Sequence, residues 1–256
     1  MRSWISVFLI LVSATGLLSG CASQHPPSRL EQYLGQPTAV SSQVPLPADR
    51  PVRASLILID DQSGPDAAPA LPDEARVRIA EQLRNEINQG YPFVIDKVLP
   101  SAQLAANRSM SDLIAFGKRQ GVQYLLLAVL SSEEQQYPVS LFLGWTTHRQ
   151  PGFRLDNWSL AEAALVDVVE GQVVLQAEGR AWATLDSPTA PGINQWYPVI
   201  YLRPQYPERR IWPPTYEGAP ITLRLVSMRE AAKRLVLNIQ QAWIDKRQIE
   251  VAGVRE

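Results

Sequence analysis

Leu160-Ala-Glu-Ala-Ala-Leu-Val-Asp-Val168 and Val173-Val-Leu-Gln-Ala-Glu-Gly-Arg-Ala-Trp-Ala-Thr-Leu185 flank Val169-Glu-Gly-Gln172. Gly171 tolerates positive φ, so the spacing predicts a β-hairpin. In its second strand Val173, Leu175, Ala177, Gly179, Ala181, Ala183 and Leu185 share one side. Val174, Gln176, Glu178, Arg180, Trp182 and Thr184 share the other. A period of two with one drier side is the pattern of a sheet that has something packed on that side.

Upstream, the short apolar run Val52–Asp60 reads as a strand buried on both faces, Phe93–Val98 as a second strand and Gln123–Leu130 as the clearest buried strand of the chain. Between them, Asp73–Gly90 carries Ile79, Ala80, Leu83 and Ile87 on one helical stripe, with Asp73 the candidate cap and Gly90 the stop. Ser111–Gly121 is a second, shorter helix. Downstream, Ser227–Asp245 repeats apolar residues at helical spacing from Met228 to Trp243, and Ser227 with Glu230 matches a capping box. Strand, helix, strand, helix, strand, hairpin, helix makes an α/β domain: a mixed sheet of about four to five strands with three helices.

Proline sets the boundaries. Of 21 prolines, nine lie between Pro26 and Pro72 and eight between Pro188 and Pro220. Proline fixes φ and removes a backbone donor, so neither stretch is expected to be ordinary helix or central strand. The expected organisation is a signal segment 1–20, a Cys-headed Pro-rich tether 21–51, one domain 52–247 with an insertion at 187–221, and a tail 248–256. With 46% hydrophobic and 19% charged residues the chain is globular in composition. A net charge of −1 lacks the basic footprint of a general nucleic-acid binder.

The first 21 residues place one charge, Arg2, before the apolar run Trp4–Val12 and end Leu18-Ser19-Gly20-Cys21. That is the build of a secretory signal. Its end resembles the lipobox of bacterial lipoproteins, in which the cysteine thiol is acylated and the signal is cut before it. Cys21 is the only cysteine, so it has no intramolecular disulfide partner. The resemblance implies an acylated Cys21 and, with Ala22-Ser23 rather than Asp next, the periplasmic face of the outer membrane. Ala22–Pro51 reads as a mobile, partly polyproline-II linker reaching up to about 90 Å. Leu30, Tyr33 and Leu34 could form one amphipathic turn, and a sticky piece of linker is the preferred reading of them.

The strand ending at Asp60, the helix Asp73–Gly90, Gly121-Val-Gln-Tyr-Leu-Leu-Leu-Ala128 and Leu165-Val-Asp-Val-Val-Glu-Gly-Gln-Val-Val174 together resemble the periplasmic superfamily of CsgG, LpoB and the TolB N-terminal domain. The chain departs from that pattern before Gly171, where the family's Thr is missing, and in the segments Ser131–Trp158 and Ser187–Ile221. The resemblance implies a small α/β protein-binding module of envelope assembly. No paired long alternating strands are visible, which on this reading sets a CsgG-type pore aside.

Signals for chemistry are sparse. His25 and His148 are the only histidines, no metal-ligand spacing occurs, and no phosphate-cradling glycine motif follows a strand. No enzyme, metal or cofactor is therefore expected. The pairs Asp60-Asp61 and Glu133-Glu134 stand at strand ends, where adjacent side chains point to opposite faces and are expected simply to solvate the exit. The strongest feature is the insertion, with Trp196, Tyr197, Tyr201, Arg203, Tyr206, Arg209, Arg210, Trp212 and Tyr216 among its prolines. Aromatic and Arg side chains dominate binding hot spots. These rings either dock a partner or cover an open sheet face. Phe142, Trp145, Arg149, Phe153, Arg154 and Trp158 form a second candidate patch. The expected function is non-catalytic docking of an envelope protein by a membrane-anchored lipoprotein; the alternative is a peptidoglycan or glycan binder, or a weak hydrolase.

Overall fold

The computed structural model describes residues 26–35, 51–90, 92–101, 109–142, 148–190, 196–203 and 209–253. The strands are β1 (Val52–Asp61), β2 (Phe93–Leu99), β3 (Tyr124–Phe142), β4 (Arg149–Asp167), β5 (Gln172–Pro188), β6 (Val199–Arg203) and β7 (Arg209–Ile211). The helices are α1 (Leu30–Leu34), α2 (Asp73–Gln89), α3 (Met110–Arg119) and α4 (Ala219–Gly253). One sheet runs in the order β2-β1-β3-β4-β5-β6-β7. β1 is parallel to β2 and β3, and every later pairing is antiparallel. The α/β class holds, while the expected four to five strands and three helices are corrected to seven and four among the described residues.

The extra strands have two physical origins. β3 and β4 do not stop where their apolar runs stop, at Leu130 and Leu160; they stay paired from Tyr124 opposite Asp167 out to Phe142 opposite Arg149. A backbone ladder needs no apolar side chains, and Glu133, Glu134, Tyr137, Arg154 and Asp156 along this stretch each have a polar partner. Pro138 is tolerated because β3 loses its β1 neighbour after Ser131 and keeps β4 on one side only. A long paired hairpin is thus present, and the ground on which a pore was set aside falls. Within the insertion, β6 falls between Pro198 and Pro204 and β7 between Pro207 and Pro213, so the prolines bound the strands and do not interrupt them.

The helices sit on two faces. α2 and α4 cover one with Ile79, Leu83, Ile87, Met228, Ala232, Leu235 and Ile239 over Leu56, Leu126, Ala163 and Leu175. α1 and α3 cover part of the other with Leu30, Leu34, Leu113 and Phe116 over Ile57, Leu127, Val129 and Val166. Gly179 lets α4 come close, since a Cβ there would stand 2.1 Å from the Ala231 carbonyl oxygen and 2.3 Å from the Leu235 nitrogen. Beyond Trp182, β5 has no β6 neighbour, and α4 covers that free edge: Arg234 Nη1 donates to the Arg180 carbonyl at 2.8 Å and Asn238 Nδ2 to that of Glu178 at 2.6 Å.

Two helix starts differ from expectation. α4 begins at Ala219, and Ser227 is no cap: it is fully buried inside the helix, its hydroxyl 3.3 Å from the Asn157 carbonyl and 3.4 Å from that of Ala181. Pro220 is accepted because the first turn needs no intrahelical donor. α2 starts on Pro72, and Asp73 makes no capping hydrogen bond; it pairs with Arg76.

Residues 26–35, read as tether, are packed on the sheet. Leu30, Tyr33 and Leu34 are buried. The Tyr33 hydroxyl donates to Asp61, the Ser28 hydroxyl and the Arg29 backbone N–H to Glu162, and Arg180 Nη1 to the Pro26 carbonyl. This strap makes the amphipathic turn a structural element, because β4 and β5 supply polar partners that a sequence window cannot show. Residues 36–50 lie outside the described residues.

Candidate docking groove

The sheet face opposite α4 is set by register. Ala183, Leu185, Ile200 and Leu202 pack under the start of α4 with Leu223. Their strand neighbours Trp182, Thr184 and Asp186 on β5, and Arg203, Tyr201 and Val199 on β6, therefore point the other way, each paired with its opposite number. Trp158, Asp156 and Arg154 on β4 extend the same face, as does Arg210 on β7 opposite Tyr201.

At the outer end of this face lies an open groove of about 370 Å³ lined by Phe142, Trp196, Tyr197, Val199, Tyr201, Arg210 and Trp212. Trp196 is 41% and Trp212 54% exposed. The Tyr201 ring has guanidinium groups of Arg203 and Arg210 each 5.8 Å from its centre. Arg203 also stands over Trp182, at 5.7 Å, and Trp182 stacks on Trp158 at 6.4 Å. The Trp182 Nε1 donor is buried with no hydrogen-bond partner among the described residues.

The carboxylates beneath the groove are engaged. Asp186 accepts a two-pronged bond from Arg154, at 2.6 and 2.8 Å, which holds that guanidinium firmly protonated. Asp156 accepts from Tyr137 at 2.9 Å and from Thr184 at 2.7 Å. Burial, and then the nearby Asp186 charge, push the Tyr197 phenol above its ordinary value. With Asp186 paired to Arg154 and Asp156 held by two hydroxyls, the groove itself is lined by rings and the Arg210 guanidinium. It suits an anionic or amphipathic occupant.

Of the expected docking residues, Trp196, Tyr197, Tyr201, Arg210 and Trp212 line the groove and Arg203 stands beside it. Arg209 does not join them: its register partner is Leu202, which faces α4. Tyr216 is held apart, its hydroxyl on the Pro188 carbonyl at 2.7 Å. Tyr206, Trp145, His25 and Cys21 lie outside the described residues. Phe142, assigned by sequence to a separate patch, belongs to the groove, whereas Trp158 is buried in the ring stack. Trp182 was legible only as one position of an alternating strand. The period of two was its signal, and the missing piece was which elements left that side open.

The acid pairs do point to opposite faces, but they do not simply solvate the strand ends. Glu134 takes two bonds from Arg224 of α4, at 2.6 and 2.9 Å, and one from Asn157 at 3.1 Å. Glu133 faces Arg29 of the strap at 3.8 Å. Burial works against ionisation of Asp61, yet hydrogen bonds from Ser63 and Tyr33 hold its carboxyl below the usual value; burial pushes Asp60 and Glu162 up.

Similar solved structures include a bacterial lipoprotein. It is lipoprotein GNA1162 from Neisseria meningitidis, 10% identical over 54% of this chain and 85% of that one, with a TM-score of 0.29. A putative neuraminyllactose-binding hemagglutinin homolog from Helicobacter pylori is 6% identical over 82% and 99%, with a TM-score of 0.40. The PelC dodecamer from Paraburkholderia phytofirmans is 14% identical over 73% and 92%, with a TM-score of 0.26. No family model and no curated protein matches the chain. One of these neighbours is a bacterial lipoprotein, and at these identities and TM-scores the likeness carries nothing about the groove.

Proposed function

We propose that the chain is a non-catalytic binding and assembly module of the bacterial envelope, carried as a lipoprotein through Cys21 on the periplasmic face of the outer membrane. The groove is its docking surface. The observation that carries this reading is the gathering in one groove of exposed Trp196, just before β6, and Trp212, just after β7, with Arg210 of β7, above carboxylates already committed to Arg154, Tyr137 and Thr184. Phe142 and Tyr201 are held on strands, and Trp196 and Trp212 flank two of them, which limits the freedom lost on binding.

Deleting 187–221 would remove β6 and β7 and open the Leu185–Leu223 core, so point changes are the better test. The lipidated protein, crosslinked in intact envelopes and purified, is compared with the Trp196→Ala/Trp212→Ala variant. Crosslinked envelope material should fall at least tenfold in the variant. An unchanged set would overturn the assignment of the groove.

A further inference from the structure

The strap gives the groove an address that its composition does not. It begins at Pro26, whose carbonyl accepts from Arg180 Nη1 at 2.9 Å. Arg180 lies two residues before Trp182 on β5, on the side of the strand turned away from α4. The strap's first described residue and the groove therefore share one sheet face. From Arg180 to Asp186, beside the groove, is six residues of strand, or about 20 Å. Cys21 precedes Pro26 by five residues, which fully extended span at most about 18 Å. Acyl chains on Cys21 must enter a bilayer within that distance of the strap. A thirty-residue tether would leave the domain free to turn; a strap docked at Pro26 draws this face toward the membrane.

The residues met there suit that surface. Trp and Tyr rings combine an apolar body with a polar edge and settle at the headgroup level. An arginine fork pairs with phosphate oxygens in two-pronged fashion. We propose that the groove seats on the anionic phospholipid surface that receives the anchor, with Trp196 and Trp212 in the headgroup layer and Arg210 on lipid phosphates. This deepens the docking reading and rests on it, naming the envelope component that the groove takes. The short link from anchor to strap holds the groove at high effective concentration over the lipid, and the strap works as the orienting device.

The test uses the full-length lipidated protein in vesicles of phosphatidylethanolamine and phosphatidylglycerol with brominated acyl chains, read by tryptophan quenching. Wild type should be quenched, and Trp196→Phe/Trp212→Phe should lose most of that quenching. Arg210→Glu should weaken it several-fold, while Arg209→Glu, one residue away on the α4 face, should leave it unchanged. Tyr33→Ala unseats the strap with Cys21 intact, and lengthening the link from about five to thirty residues should reduce seating by roughly tenfold. The non-acylated Cys21→Ala chain should still sediment with the same vesicles, dependent on Arg210 and weakened by salt. The mass of the mature N-terminus decides the anchor reading separately: no acyl mass on Cys21 would sink the anchor, while sedimentation of the Cys21→Ala chain still reports on the groove. Absence of quenching from Trp196 and Trp212 in the acylated wild type would overturn the proposal. So would a photocrosslinker at position 212 that captures protein and no lipid.

Discussion

At the scale of single residues, Gly179 and Asp61 carry the sharpest expectations. A Cβ at Gly179 would meet backbone atoms of α4 at 2.1 and 2.3 Å, and backbone cannot swing aside as a side-chain end can. Gly179→Ala should therefore cost at least about 2 kcal/mol, in the range of overpacked cores, seen as a lower urea midpoint. Asp61 holds the strap through Tyr33, and its carboxyl is below its ordinary value of 3.8 in the folded state. Stability from a depressed carboxylate is present above the unfolded value and is lost as pH falls through the folded one. Glu162 acts in the opposite sense: its value is raised by burial, so protonation relieves a cost. Thermal melts of wild type should fall off below about pH 4, and Asp61→Asn should flatten that loss while lowering stability at neutral pH. A wild-type acid profile unchanged by Asp61→Asn would remove Asp61 as its source.

At the scale of elements, α4 is joined to β3 by charge as well as by packing. Arg224 and Glu134 have side chains 13% and 11% exposed, with both guanidinium bonds made. Removing one partner strands the other in a nearly dry site, so Arg224→Met should cost about 3–5 kcal/mol in denaturant unfolding. Glu134→Leu added to Arg224→Met should recover most of it, because a matched apolar pair has no charge to desolvate. Ser227 separates two accounts of the same helix. A capping serine would cost about 1 kcal/mol on change to Ala and would tolerate Asp or Thr. Placed inside α4 against Asn157 and Ala181, Ser227 should accept Ala at a similar small cost and reject Asp strongly, since a carboxylate would be buried against two carbonyls. The capping box was read from a pattern three residues long, and that pattern cannot show that the helix had begun eight residues earlier at Ala219.

At the scale of the whole molecule, stability and docking belong to different surfaces. Phe142, Trp196 and Trp212 are exposed and Tyr197 and Tyr201 half-buried at the outer end of the sheet, away from the core that α2 and α4 build on the inner strands. Trp196→Ala/Trp212→Ala should leave the unfolding free energy within about 0.5 kcal/mol of wild type while removing docking, a separation checked by urea denaturation beside the crosslinking comparison. Concurrent loss of stability and docking would mean that the rings cover the sheet and do not serve a partner. That was the open alternative for the insertion. The strap raises a second question at this scale, because it converts a long tether into a fixed exit point.

The sequence by itself determined the α/β class, the inner strands and helices, the hairpin turning at Gly171 and the aromatic content of the insertion. Each of these rests on local periodicity or local turn chemistry, which short windows contain. Only the tertiary structure decided that β3 and β4 run on through polar residues, that β6 and β7 extend the sheet, that α4 starts at Ala219 and that residues 26–35 are docked. Those outcomes depend on partners distant in the chain: Glu134 needs Arg224, Glu162 needs Ser28, and Gly179 needs the backbone of α4. The groove is the same case. Its rings were legible one by one, but which of them share a face followed from strand register, and register is a property of pairing between segments.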